Sequence, residues 1–198
     1  MKLSDRFQYI ILCEDSQMDT FLRSLLKCEG ISHQKIRTVP LPAGQGCGEK
    51  HVRNSILREV QYIHQHNYKK IFLIVCIDAD NYTIEDRRND LIGIVKNTIR
   101  AWKFEEEPMM LWIPKREIET WLAFLDGKDV NEEMSFKHSG HPLSCKLEAE
   151  KMALFCRGEY DFSKAALPSI KAAKDEYIRA VSVQNNNPRM KQYGANDY

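Results

Sequence analysis

Two apolar runs of this chain end in carboxylates. QYIILC (8–13) runs into Glu14-Asp15, and IFLIVCI (71–77) runs into Asp78, with Asp80 just beyond Ala79. A third run, MMLWI (109–113), is followed by Lys115, Arg116, Glu117 and Glu119. Carboxylates that converge on one edge repel: at ~4 Å two like charges cost about 4 kcal/mol at an intermediate effective dielectric. Either one of them is protonated or cations neutralise them. Hard divalent cations choose carboxylate oxygen, and magnesium keeps positions for water and phosphate oxygens. Two such ions about 3.5–4 Å apart can hold both the attacking and the leaving oxygen of a phosphodiester. A DxD pair alone is also met as loop solvation or a helix cap. A glutamate after the first strand together with DxD after the third is a more demanding pattern.

The elements that must position these residues alternate. QYIILC is rich in strand formers, and Met18, Phe21, Leu22, Leu25 and Leu26 form a helical stripe over 17–28 that Gly30 ends. KIRTVPL (35–41) reads as a second strand, whose Pro40 suggests an edge or a strand end. Val52, Ile56, Val60 and Ile63 recur at helical spacing, and 71–77 is the third strand. Thr83 and Asp86 form a capping-box pattern before a helix with Leu91, Ile94, Val95 and Ile99 on one face. After the fourth strand and Pro114, Ile118, Trp121, Leu122 and Leu125 mark another helix. This order predicts an α/β, Rossmann-like fold: a four-stranded, mostly parallel sheet flanked by helices. In such sheets ligands sit outside the carboxyl ends of the strands, where the strand order reverses. Residues 1–126 form this unit. Residues 127–183 read as a helical extension packed on it, with helices over 145–156 and 168–182, and 184–198 as a mobile polar tail.

The 198 residues carry 43% hydrophobic and 29% charged side chains with a net charge of +1, so any nucleic-acid contact must rest on a local patch. The six cysteines form no CxxC pair, and Cys13 and Cys76 lie in apolar runs where a thiol behaves as a small hydrophobe. MKLSDRFQYI is too polar for a signal peptide, and the longest apolar run is far short of a membrane span. A cytoplasmic protein with reduced thiols and no membrane association is expected.

IILCED (10–15) and IVCIDADN (74–81) together resemble a Toprim domain, the metal-binding fold of topoisomerases, primases and the overcoming-lysogenization-defect nucleases. IPKREIETWL (113–122) is similar to a segment of Toprim-like proteins of bacterial anti-phage defence systems, often encoded beside an ATPase. The resemblance spans about two thirds of the chain. It implies a nuclease using Mg2+ or Mn2+, with Glu14, Asp78 and Asp80 as the metal-binding acids and Glu14 also as general acid or base. Glu117 or Glu119 would complete a second metal position, with Glu119 preferred as part of the IETW match, and Lys115 or Arg116 would stabilise charge on the scissile phosphate. Nucleic acid, an ATPase subunit and a second copy of the chain are the partners it suggests. Many Toprim domains have glycine after the first-strand glutamate, where this chain has Asp15.

Other patterns compete. AGQGCGEKHVR (43–53) places Gly44, Gly46 and Gly48 before a helix, where free N–H groups can hold phosphate, and Lys50 and Arg53 could meet a nucleic-acid backbone. It lacks the GK[ST] ending of a P-loop. A haloacid-dehalogenase pattern would put DxD after the first strand with Thr or Val where Tyr82 stands, and a receiver domain accounts poorly for Asp80. His138, His141 and Cys145 are zinc-ligand types without a fourth partner, and His64 and His66 suit a helix C-terminus. Trp102, Trp112 and Trp121 read as core or interface anchors. A non-catalytic module binding a metal or an ATPase through the same acidic edge is the second functional expectation.

Overall fold

In the computed structural model, residues 2–41, 48–136, 145–162 and 166–186 are described. The elements in chain order are β1 (Gln8–Cys13), α1 (Ser16–Cys28), β2 (Ile36–Thr38), α2 (Gly48–Gln65), β3 (Ile71–Cys76), α3 (Ile84–Lys96), β4 (Met109–Trp112), α4 (Ile118–Leu125), α5 (Lys146–Arg157) and α6 (Pro168–Asn186). The four strands form one all-parallel sheet in the order β2-β1-β3-β4. The α/β, Rossmann-like arrangement expected from the alternating pattern is therefore present. The strand order reverses between β1 and β3, and that switch point is where Glu14 and Asp78 emerge.

Period-two alternation sorts the strand residues into two cores. Tyr9, Ile11 and Cys13, Phe72, Ile74 and Cys76, and Met110 and Trp112 face α1, α4, α5 and α6. Ile10 and Leu12, Leu73, Val75 and Ile77, and Leu111 and Ile113 face α2 and α3. Both faces are covered, which is why the central strands read as unbroken apolar runs. Free thiols at Cys13 and Cys76 belong to this packing, and burial pushes both well above the ordinary thiol range, so they stay protonated.

The C-terminal helices complete one of those cores. Trp112 Nε1 donates to the Ala173 carbonyl at 3.0 Å, Trp121 Nε1 donates to Ser169 Oγ at 2.7 Å, and the two indoles meet edge to face at 5.8 Å. The face of β4 carrying Trp112 is thus covered by α6 of the same chain. α6 also satisfies the open edge of β4: Leu111 N donates to Glu176 Oε1 at 3.1 Å, and Arg179 donates to the Met109 carbonyl. Such side-chain capping removes a free strand edge. Buried Glu29, at the end of α1, accepts from Leu3 N at 3.0 Å and from the Tyr177 hydroxyl at 2.9 Å, tying the N-terminal segment to α6. α6 runs past residue 184, where the tail was expected to begin. Gln184 is buried, accepts from Ser4 N and donates to the Tyr9 hydroxyl, each at 3.1 Å. Residues 187–198 lie outside the described residues.

Trp112→Ala should cost about 3–5 kcal/mol of unfolding free energy, since it empties a fully buried site and removes the indole's bond to the Ala173 carbonyl. Urea unfolding of the variant beside the wild type measures this, and a loss under 1 kcal/mol would mean that α6 does not cover the sheet as described.

Candidate functional site

The carboxyl ends of β1 and β3 bring the expected acids together. Parallel pairing aligns Cys13 with Cys76, so the next residues leave the sheet side by side. Glu14 turns across the switch point and its Oε1 accepts the Asp78 backbone N–H at 3.0 Å. Beyond Asp78 the strand direction continues briefly, with Ala79 N donating to the Pro114 carbonyl at 2.8 Å. Asp80 then takes a left-handed backbone (φ 53°), which aspartate tolerates better than most residues, and Tyr82 N closes the turn on the Ala79 carbonyl at 2.9 Å. The turn leads into α3 through the expected capping box of Thr83 and Asp86.

Asp78 is the most enclosed acid of the group. One of its carboxylate oxygens, Oδ1, is buried and has no hydrogen-bond donor among the described residues. Burial first, and then the charges of Glu14, Asp15, Asp80 and Glu119, push its carboxyl well above the ordinary range. Glu14 is pushed up to about 7, chiefly by burial, with the Asp78 N–H and Arg87 opposing the rise and the Asp80 charge adding to it. Asp15 has a structural task here. It caps α1, its Oδ1 accepting from Gln17 N and Met18 N at 2.8 Å each.

Two further positions build this site: Arg87, which the sequence pattern did not mark, and Gly48, expected there as part of a phosphate-holding loop. Arg87 of α3 is only 2% exposed and lies under the acids. Its Nε donates to the Asp78 carbonyl at 3.1 Å, and its Nη1 donates to Glu49 Oε1 at 2.6 Å and lies 3.9 Å from Asp90. Nη2 stands 3.9 Å from Asp80 Oδ2, and the guanidinium carbon lies 4.8 Å from the centre of the Tyr82 ring. A signal was available: Arg87, Leu91 and Val95 are spaced by four, and all three are buried, so an arginine extends the apolar stripe of α3. Gly48 opens α2 against Glu14. A Cβ at position 48 would stand 2.8 Å from both the Cβ and the carbonyl oxygen of Glu14, so glycine permits the approach. The N-terminus of α2 therefore packs directly on the backbone and Cβ of Glu14.

The remaining expected residues divide. Glu119, on the first turn of α4, is half-buried and its charge reaches Asp78. Glu117 is turned elsewhere: it is buried, and its carboxylate accepts from Ser135 Oγ at 3.0 Å and from Phe136 N. Lys115 Nζ donates to the Tyr82 carbonyl at 2.9 Å, and Arg116 Nη1 donates to Asn81 Oδ1 at 3.2 Å, so both brace the turn that carries Asp80. Arg53 pairs with Asp90, and Lys50 is exposed on the first turn of α2. Gly44, Gly46, His138 and His141 lie outside the described residues. His64 pairs with Glu107, its Nε2 lying 3.0 Å from both carboxylate oxygens.

The donor set suits a hard cation, since it consists of carboxylate oxygens and includes one that is enclosed and unpartnered. The side chains are not gathered into a cage. Among the described residues no three acidic, imidazole or thiol side chains stand together closely enough to hold a metal ion as they are. Glu14, Asp78 and Asp80 are the residues that could do so after side-chain movement.

Glu14→Gln keeps an acceptor for the Asp78 N–H and removes the charge. In the folded chain the Glu14 carboxyl binds its proton up to about 7, against an ordinary 4.5, so the native state holds more protons between those values. Stability therefore falls as pH rises from about 4.5 to about 7 and stays lower above. With chelator present, Glu14→Gln should be more stable than wild type by roughly 1–3 kcal/mol at pH 8, with the gap closing toward pH 4.5. Urea midpoints across that range measure it, and a gap that ignores pH would contradict the burial of Glu14. Gly48→Ala should lose about 1–3 kcal/mol by pushing α2 off Glu14. The same denaturation assay decides this, and an unchanged midpoint would contradict the close approach.

No protein-family model matches the chain, and no curated protein and no solved structure matches it either.

Proposed function

We propose that this chain is a Toprim-type phosphodiester hydrolase that uses Mg2+ or Mn2+ to cut nucleic acid, working in the cytoplasm as part of a bacterial anti-phage defence system. One observation carries this reading: Glu14 and Asp78 are joined at the switch point of the sheet, beside Asp80, with a buried Asp78 oxygen lacking any donor. An unpaired buried acceptor is costly, and a cation would satisfy it. Glu14, Asp78 and Asp80 would hold the ion, with Glu119 nearby. When bound, the ion supplies Lewis-acid polarisation of the phosphodiester and a water of lowered pKa.

The chain's own residues contribute the rest. Glu14 Oε1 is engaged by the Asp78 N–H, which leaves Oε2 to face the ion or the attacking water. Lys115 has donors to spare beyond the Tyr82 carbonyl and, with Arg116, stands beside the Asp80 turn for charge on the scissile phosphate. Lys50 and Arg53, near the start of α2, would position the flanking backbone.

A second reading has its own support. Arg87 already supplies a positive charge among the acids, and no ready cage exists among the described residues. The acidic edge would then be a docking surface for a partner such as an ATPase subunit, without catalysis.

The two readings part in a cleavage assay on plasmid, single-stranded DNA and tRNA. Wild type with Mg2+ or Mn2+ should cut at least one substrate, chelator should stop it, and Asp78→Ala and Glu14→Ala should each lose about 100-fold or more. Folded wild type that cuts nothing, alone or with an ATPase encoded beside it, would reject the hydrolase in favour of the docking module.

A further inference from the structure

We propose that Asp80 is shared between Arg87 and a divalent cation, so that Arg87 is the resident counter-charge of the acidic centre and sets how tightly the centre takes the ion. The inference rests on the metal-dependent reading above and concerns how that same site is regulated.

Arg87 is fitted for this by its surroundings. Three of its contacts are fixed: the Asp78 carbonyl on Nε, Glu49 on Nη1, and the Tyr82 ring over the guanidinium. The fourth direction is unfinished. Nη2 is buried and has no acceptor among the described residues, and Asp80 Oδ2 stands 3.9 Å away. That is too long for a hydrogen bond and short enough for strong Coulomb attraction. The Asp80 side chain is 53% exposed, so it has room to move either way. Swung inward, it completes Arg87. Swung toward Glu14 and Asp78, it completes an oxygen cage.

Arg87 cannot follow Asp80, because it is anchored on three sides and almost wholly buried. A fixed positive charge beside a cation site weakens cation binding, and it also holds the acids together when no ion is present. Arg87 is therefore a positioning residue that acts through Asp78 and Asp80. Arginine, with its planar fork, can meet the Asp78 carbonyl, Glu49 and Asp80 at once, which a lysine cannot.

Calorimetric titration of Mn2+ into the full chain tests this, with wild type beside Arg87→Gln and Asp80→Asn. Gln at 87 keeps a donor for the Asp78 carbonyl and removes the charge. The expected result is Mn2+ binding about tenfold tighter in Arg87→Gln and abolished or much weakened in Asp80→Asn. Unchanged or weaker binding in a folded Arg87→Gln chain would overturn the proposal while leaving the metal centre standing. No binding by wild type would remove the metal centre itself, and the inference with it. Should Arg87→Gln fail to fold, side-chain NMR of wild type with diamagnetic Mg2+ decides. The Arg87 Nε–H resonance should shift on saturation, and the shift should vanish in Asp80→Asn. Mg2+ that moves the Glu14 and Asp78 amides but leaves Arg87 still would overturn the sharing.

Discussion

The concentration of negative charge at the switch point of the sheet is the constraint around which the surrounding structure is arranged. Glu14, Asp78 and Asp80 leave adjacent parallel strands, and the charges of Asp15 and Glu119 add to the field at Asp78. Left alone, such a group would drive the strand ends apart or force protons onto the carboxyls. The chain answers with local devices. The Asp78 N–H is spent on Glu14, and Asp15 is drawn off as the cap of α1. Arg87, buried beneath the turn, brings a positive charge that it shares with Glu49 and Asp90.

Those devices need a rigid base. Two cores, one on each face of the sheet, hold β1 and β3 in register, so that the ends of the strands are fixed before any side chain at the edge is considered. α6 adds to this by covering Trp112 and capping the open edge of β4, which in turn sets the position of Pro114, whose carbonyl receives Ala79 N. The turn that presents Asp80 is braced from the same side by Lys115 and Arg116. Lys115 and Arg116 thus already have structural partners, which limits how far they can move toward a substrate.

Much of this was legible in the sequence because it rests on periodicity. Runs of two-sided apolar residues marked β1, β3 and β4, and the Thr83–Asp86 pattern marked the start of α3 correctly. That Glu14 and Asp78 leave the same edge of the sheet followed from parallel order, whereas the adjacency of β1 and β3 came from the strand order of the folded sheet. What escaped was tertiary. Arg87 looks like one more charge in a polar stretch until α3 is seen to turn it inward with Leu91 and Val95. Gly48 reads as part of a phosphate-holding helix start, or a connector, until Glu14 is seen packed against it. The choice between Glu117 and Glu119 could not be made from spacing, because it depends on Ser135 and Phe136, which fold back on Glu117 from outside the helix. The end of α6 was placed too early because Gln184 is polar, and its burial depends on partners at Ser4 and Tyr9, far away in the chain.

The central claim is that the carboxylates of the β1 and β3 ends form a divalent-cation centre. A crystal structure grown or soaked with Mn2+, with anomalous data collected near the manganese edge, tests this most directly. An anomalous peak bounded by Glu14, Asp78 and Asp80, with Asp80 turned away from Arg87, is the predicted result. Strong manganese peaks elsewhere and none at this edge, with Asp80 still directed at Arg87, would contradict it.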